Sequence, residues 1–398
     1  FNTCTIRGSA DDRFLGNLGD AKRLKRERPD VVVAVGGCWA QSQKEQIFEQ
    51  FPFVDVAFGP SELTRLGELV ARERIEAVGA FSLDGAFSSD LPARRERPHQ
   101  AWVQISTGCN CVCTYCIVPS VRGRERSRPA ADVVGEVRRV AADGVREVTL
   151  LGQNVNSYGR DLPREARATF AELLREVAAV EGVARVRYTS PHPKDMREDV
   201  VAAMAECPEV CAHLHLPAQS GSTRILKAMR RTYSRERYLD LVTRLRAAMP
   251  DLSLTTDLIV GFPGETDEDF EDTMSLVEEA DYDGAYTFLY SPRPGTEAAE
   301  TLDDDVPAEV KRERIGRLVD LVQATGRARA ERFVGREAEV LVEGPSRTDP
   351  DLLRGRLEHN ITVNFEGAAE PGSLVAVTID SATSTTLRGR QSKVAALA

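Results

Sequence analysis

The sequence predicts an α/β protein in three parts: a partial (β/α)6 barrel, a smaller α/β unit before it, and a small antiparallel β-barrel after it. Three observations carry this. Between residues 101 and 292, six β-rich apolar runs ("AWVQIST", "EVTLLGQ", "ARVRYTS", "AHLHLPA", "LSLTTDLIVGF" and "GAYTFLYS") alternate with amphipathic helical stretches such as "ADVVGEVRRVAADG". That alternation is the pattern of parallel strands joined by helical crossovers. Residues 1 to 81 repeat it on a smaller scale, with apolar runs at 31–38 ("VVVAVGGC") and 54–59 ("VDVAFG"). From residue 335 onward, "REAEVLVEG", "LLRGRLEHNITVNF" and "SLVAVTIDSAT" read instead as short strands separated by Gly and Pro turns, the pattern of a small closed barrel that can hold oligonucleotides.

The expected boundaries follow from these patterns. Residues 1–81 form the first unit, 82–100 a linker ("SLDGAFSSDLPARRERPH" lacks apolar periodicity), 101–330 the barrel and 331–398 the last unit. The run 307–333 predicts a long helix bridging the last two parts. At 398 residues the chain is long enough for two or three domains. The opening "FNTC" reads as the end of a strand whose beginning lies outside this chain.

Composition excludes several classes. With 42% hydrophobic and 29% charged residues, usage is that of an ordinary globular protein, and no run approaches the roughly 18 apolar residues of a membrane span. A formal charge of −10 argues against a protein that coats nucleic acid through its whole field, so any polyanion must be met at a local patch. In the C-terminal unit acidic and basic residues nearly balance, so RNA binding there would rest on specific strand-face contacts. Eight cysteines are too sparse for a disulfide scaffold, and four of them crowd one stretch. Thiols held reduced for metal binding in a cytoplasmic compartment are the better reading.

That stretch, "STGCNCVCTYCIVPSVRGRERSRP" (106–129), follows the first barrel strand directly, where function sits in parallel barrels. Cys109, Cys113 and Cys116 are spaced C-x3-C-x2-C, with Cys111 between the first two. Zinc is one candidate, although alternate cysteines chelate a tetrahedron poorly and no paired C-x2-C lies elsewhere. An iron–sulfur cubane held by three thiolates is the other; it leaves one iron open to a ligand.

The C-x3-C-x2-C loop, together with "NTCTIR", "VGGCWAQ", "LLGQNVNSYG", "TSPHP", "LHLPAQSGSTRILKAMRRTY", "TTDLIVGFPGETDEDF" and "YSPRPGT", resembles the radical S-adenosylmethionine methylthiotransferase family along essentially the whole chain. The resemblance implies methylthiolation of C2 of N6-isopentenyladenosine at position 37 of tRNA. Sibling activities on threonylcarbamoyladenosine in tRNA or on a ribosomal-protein aspartate are alternatives, and a non-catalytic iron–sulfur RNA-binding module is an alternative of another class. It also implies two [4Fe-4S] clusters and S-adenosyl-L-methionine as cofactors, the anticodon stem-loop of tRNA and an electron donor such as flavodoxin or ferredoxin as partners, no membrane, and a cytoplasmic monomer. The C-terminal barrel is similar to a TRAM domain. Cys109, Cys113 and Cys116 would hold the first cluster. Cys4 and Cys38 would be two of the three ligands of the second, whose remaining cysteine is expected before Phe1.

Other strand-end residues gain expected roles at S-adenosylmethionine or the nucleoside: Gln153, Asn154, Ser190, Gln219, Ser220 and Arg231. Arg122, Arg124, Arg126 and Arg128 alternate just beyond the cysteines, where their planar forks could pair with RNA phosphate. "GFPGE" (261–265) is a glycine-rich turn without a phosphate-loop lysine. His213 and His215 share one strand face and are expected to be buried on hydrogen-bond partners, and Cys207 and Cys211 to be buried.

Overall fold

The computed structural model describes residues 1–3, 8–72, 77–85, 87 and 95–392. The chain forms two compact units. One comprises residues 1–94, 107–126 and 291–301, and the other 95–106, 127–290 and 302–398.

In the first unit a four-stranded parallel sheet runs in the order β1 (Asn2–Thr3), β2 (Ala34–Gly37), β3 (Val56–Phe58) and β4 (Val78–Ala80). Val56 and Phe58 bury one face, and Val35 and Ala57 bury the other. Burial on both faces is what helical crossovers of a parallel sheet produce. The second face is filled by Phe14 and Trp39, whose rings lie 4.8 Å apart, and by Leu18 and Ile47. Gly37 ends β2 at φ 99°, and a Cβ there would lie 2.1 Å from the Thr3 carbonyl oxygen. Only glycine lets this strand end approach β1 and turn at once into the helix Cys38–Gln43.

The second unit begins with β5 (Gln100–Gln104). The chain leaves it through β6 (Ser106–Thr107) and returns through β7 (Arg126–Ser127). The strands β5, β8 (Glu147–Leu151) and β9 (Arg185–Tyr188) pair in parallel, as do β10 (His213–His215), β11 (Ser253–Val260) and β12 (Gly284–Leu289). Val186 joins the two sets, donating to the Glu209 carbonyl at 2.7 Å and accepting from the Cys211 amide at 3.0 Å. The expected six strands are therefore two three-stranded parallel sheets linked by an isolated parallel bridge between Val186 and Val210. Among the described residues nothing pairs β12 with β5, so the barrel is partial, as the sequence predicts.

The helices cover one side of these sheets. Their apolar faces, such as Val133, Val137 and Val140 of Ala130–Ala142, meet Val103, Leu150, Val186, Leu214, Leu254 and Leu258 in the main core. Caps fix where the helices start. Thr169 accepts from the Glu172 amide while Glu172 accepts from Thr169, and Thr266 with Asp269 does the same, each cap contributing about 1 kcal/mol.

The long helix Ala308–Glu331 leads to a closed five-stranded barrel in the order β13 (Glu337–Pro345), β14 (Leu353–Leu357), β15 (Thr362–Glu366), β17 (Thr386–Gln391) and β16 (Leu374–Ala382). Its core holds Val340, Val342, Leu357, Val363, Phe365 and Ile379. Closure removes the sheet edges. This barrel docks on the lower rim of the half-barrel through β9: Arg185 donates to the Arg356 and Glu339 carbonyls, and Arg187 to those of Glu358 and Leu357. No helix among the described residues is long and apolar enough to cross a membrane.

Candidate active site: a cysteine loop and the strand ends of a half-barrel

The cysteine loop belongs to the first unit. Gly108 turns into it at φ 75°, and a Cβ there would lie 2.0 Å from the Arg124 carbonyl oxygen, so the loop's entry and exit run against each other. The Cys109 amide donates to the Gly123 carbonyl at 3.1 Å, and the Glu125 amide to Asn110 Oδ1 at 3.2 Å. The Cys116 amide donates to the Cys113 carbonyl, folding the last two thiols onto one turn, and Thr114 is held by the Ala298 amide at 2.8 Å.

None of the described cysteines forms a disulfide. Cys109 is held below the ordinary thiol range, chiefly by hydrogen bonding from Cys111, first its thiol and then its amide, against burial and the repulsion of Cys116 and Cys113. Cys111 is therefore a hydrogen-bond donor to the Cys109 sulfur. No three His, Cys, Asp or Glu side chains among the described residues converge on a single metal ion.

Cys38, the first residue of its helix, is 1% exposed and packs with Ile117 and Val121 from the far side of the cysteine loop. Arg122 Nε donates to Cys38 Sγ at 3.3 Å. Cys4 lies outside the described residues. The arginine run departs from expectation. Arg126 donates to the Gly85 and Leu83 carbonyls at 2.8 and 3.0 Å, Arg122 is engaged on Cys38, and Arg128, 4% exposed, donates to the Gln104 carbonyl and Glu136 at 2.6 and 2.7 Å. Arg124 alone of the four is exposed. The alternation reflects structural clamps more than a phosphate track.

In the second unit the strand-end residues sit on loops that bond to one another. Asn154 Nδ2 donates to Asp195 Oδ2 at 2.8 Å, and Asn156 exchanges two hydrogen bonds with the His192 backbone, tying the loops after β8 and β9. Burial pushes Asp195 up, yet the bonds from Asn154 and Lys194 leave it below the usual carboxylate range. Burial, with Arg231 and Lys194 nearby, pushes His192 down to about 2, so its neutral Nδ1 accepts from the Lys194 amide.

Ser190 is exposed at φ 59°, and its carbonyl accepts from the Val155 amide. Gln219, at φ 74°, clips into β11 by donating to the Asp257 carbonyl and accepting from the Ile259 amide. Ser220 is buried, its hydroxyl accepting from the Ser222 amide. Arg231 donates to the Pro217 carbonyl and to the Tyr233 hydroxyl. Gln153 differs: its buried Oε1 has no hydrogen-bond partner, and neither does Ser106 Oγ at the end of the first strand. Buried polar atoms left without a partner call for a donor or acceptor from a water or a ligand.

The turn 261–265 is closed from within, since the Gly261 amide donates to Glu265 Oε1 and Glu265 pairs with Arg314. A carboxylate already occupies the place a phosphate would take. His215 Nδ1 lies 3.0 Å from Thr255 Oγ1, which is 3.4 Å from His213 Nε2, so the histidine pair is bridged by a hydroxyl. Cys211 is buried and its thiol pushed up to about 11 by that burial; Cys207 is only partly covered.

Comparison with known proteins decides the family. Residues 103–277 match the radical SAM superfamily, 331–391 the TRAM domain, and 1–59 a family described as uncharacterized protein family UPF0004. The tRNA-2-methylthio-N(6)-dimethylallyladenosine synthase of Acidothermus cellulolyticus is 49% identical, over 96% of this chain and 78% of its own length. That of Moorella thermoacetica is 48% identical over 98% and 88%. The chain belongs to the tRNA-2-methylthio-N(6)-dimethylallyladenosine synthase family.

Among solved structures, the radical S-adenosylmethionine methyltransferase TsrM of Kitasatospora setae superimposes with a TM-score of 0.54 at 18% identity, over 71% of this chain and 60% of that one. At that identity the likeness concerns the fold. For a tRNA-2-methylthio-N(6)-dimethylallyladenosine synthase family member of the radical SAM superfamily, a [4Fe-4S] cluster and S-adenosylmethionine are implied, and the three neighbouring, non-disulfide thiols of the loop fit such a cluster.

Sequence reasoning missed the inner face of the half-barrel. Trp102, Thr149 and Arg187 share it with His215, Asp257 and Tyr286. Parallel strands buried on both faces are apolar throughout. A period-2 reading of these runs would have shown one face broken by aromatic, charged and histidine side chains.

Proposed function

We propose that this protein methylthiolates C2 of N6-isopentenyladenosine at position 37 of tRNA. The observation that carries this is near-half identity, over almost the whole chain, to enzymes named for that product, together with three thiols on the loop after the first strand. The same names favour this substrate over threonylcarbamoyladenosine or a ribosomal-protein aspartate.

A [4Fe-4S] cluster with S-adenosylmethionine would supply the radical chemistry this reaction needs, because no side-chain acid or base ionises an aromatic C–H bond. Cys109, Cys113 and Cys116 hold the cluster as thiolates, a form the Cys111 hydrogen bonds favour at Cys109. Gln153 presents an unsatisfied acceptor to the cofactor's donors. Asn154, Ser190, Gln219, Ser220 and Arg231 act through the loops they bond together, fixing the strand ends. Cys4 and Cys38 are two ligands of a second cluster, the sulfur source; the Arg122 contact at Cys38 suits a thiolate there. The domain limits 1–81, 82–100, 101–330 and 331–398 are retained as functional boundaries, the last unit holding the anticodon stem-loop. The working protein is a cytoplasmic monomer reduced by a donor such as flavodoxin or ferredoxin.

Nucleoside mass spectrometry tests the reading. Deleting the gene should remove the 2-methylthio group from isopentenyladenosine, and the intact gene should restore it while Cys113→Ala does not. Unchanged 2-methylthio-isopentenyladenosine in the deletion strain refutes it.

A further inference from the structure

Cys111 is the thiol of the loop that the C-x3-C-x2-C spacing leaves over. The residues on either side of it are disposed outward. Val112 is 64% exposed, and Asn110 is exposed with its Oδ1 accepting from the Glu125 amide. Cys111 itself is half-buried and turned back on its neighbour. Its amide donates to Cys109 Sγ at 3.4 Å, and its thiol is a second donor to the same sulfur. Cys109 Sγ therefore receives two hydrogen bonds from one residue.

The loop does not depend on that thiol for its shape. Gly108 turns the chain into it at φ 75°, the Cys109 amide is held by the Gly123 carbonyl, and the Ala298 amide donates to the Thr114 carbonyl. Nor is the thiol spent on a disulfide. A role as a further iron ligand fits the geometry poorly, because the thiolates of a cubane stand on separate irons and Cys111 would have to give up both its proton and its place against Cys109. What the arrangement offers is a donor beside a ligand sulfur.

We propose that Cys111 acts through Cys109 as a positioning residue for the loop's cluster, its thiol donating to Cys109 Sγ and so raising the cluster's reduction potential. The inference rests on the preceding subsection's assignment of a [4Fe-4S] cluster to Cys109, Cys113 and Cys116, and it adds a residue outside that ligand set. Reduction places one electron, drawn from the external donor, on the cluster, and part of the added charge lies at the ligand sulfurs. A hydrogen bond to such a sulfur is therefore worth more after reduction than before, which is how donors around a cluster set its potential. No bond forms or breaks at Cys111. The gain is a cluster that a milder one-electron donor can load.

The test uses the full chain with its cluster reconstituted anaerobically. Dithionite titration read by electron paramagnetic resonance gives the midpoint potential, and the signal that changes on adding S-adenosylmethionine is the one followed. A thiol is a weak donor, so Cys111→Ala should lower the reduction equilibrium constant about three-fold, or about 28 mV at about 59 mV per ten-fold for one electron, with iron content unchanged. Cys111→Ser, which keeps a hydroxyl donor, should recover at least half of that shift. The amide bond to Cys109 persists in both variants, so the comparison reads the side chain alone. An unchanged potential in Cys111→Ala, or a serine variant shifted as far as the alanine one, overturns the proposal while the functional reading stands. Loss of iron in Cys111→Ala overturns it too, by making Cys111 a ligand. An unaltered protein that binds zinc and no iron sinks both.

Discussion

Replacing Arg187 with methionine should destabilise the second unit by about 4 kcal/mol, and the structure shows why. The side chains of Arg187 and Glu147 are 8% and 5% exposed, and Arg187 Nε donates to Glu147 Oε2 at 2.8 Å. Its other nitrogens donate to the Glu358 and Leu357 carbonyls at 2.7 and 2.8 Å. Methionine keeps the length of the stem and removes every donor. Glu147 keeps the bond from the Gln100 side-chain amide at 2.8 Å, and two carbonyls at the C-terminal barrel lose their partner. Breaking one side of a buried ion pair costs about 3–5 kcal/mol because the surviving charge stays desolvated, and each stranded carbonyl adds about 1–3 kcal/mol before relaxation or water entry reduces it. Removing both charges in Arg187→Met/Glu147→Leu should recover much of the loss, giving a coupling of about 2 kcal/mol or more in a double-mutant cycle. The assay is urea unfolding with hydrogen exchange at β14, whose carbonyls receive Arg187; exchange there should accelerate most. A cost below about 1 kcal/mol for Arg187→Met, or a coupling near zero, refutes this account of how the two barrels are joined.

Three further outcomes are expected. Because burial pushes His192 down to about 2 from an unfolded value near 6.5, its contribution is fully present above about pH 6.5 and is lost as pH falls toward the folded value. The loss amounts to about 1.4 kcal/mol by pH 5.5, read as a drop in urea midpoint that His192→Gln should lessen. Gly152→Ala places a Cβ 2.6 Å from Ser106 Oγ and should cost about 1–3 kcal/mol. Ser106→Ala should relieve part of it, and equal stability with and without the serine would show that the contact does not matter. Arg128→Met should lower stability by about 3 kcal/mol through the stranded Glu136 and Gln104 carbonyl, whereas Arg124→Ala should stay within about 0.5 kcal/mol; thermal melts of both variants check the contrast.

Much of the architecture was legible because its signals are local. The six runs between 101 and 292 became the six strands, since alternation of β-rich segments with helices of one apolar face leaves few topologies once crossovers must be right-handed. The C-terminal barrel was legible for the same reason, its short strands being separated by turn residues. The cysteine loop was legible because a cubane needs three thiolates close together, and C-x3-C-x2-C supplies them within one loop. What could not be read were the partners of long side chains. Arg185 and Arg187 look like surface charge in "ARVRYTS", yet they bond to carbonyls more than 150 residues away. Nothing local distinguishes a buried arginine that satisfies distant carbonyls from one that faces water.

The arginines after the cysteines make the same point at the candidate site, and there it bears on chemistry. Positive charge beside thiols suggests an RNA track, but the guanidinium groups of Arg122 and Arg126 are spent on holding the loop to the N-terminal residues. The helix Val118–Arg122 packs on Cys38 through Ile117 and Val121, so the segment that follows Cys116 also covers Cys38. The thiols assigned to one cluster and a thiol assigned to another thus belong to a single compact unit, in which Arg122 donates to Cys38. Charge-assisted donation to a thiolate favours the ionised sulfur over the thiol. The Arg122 guanidinium is therefore a polar partner of a sulfur that is otherwise buried among Ile117 and Val121.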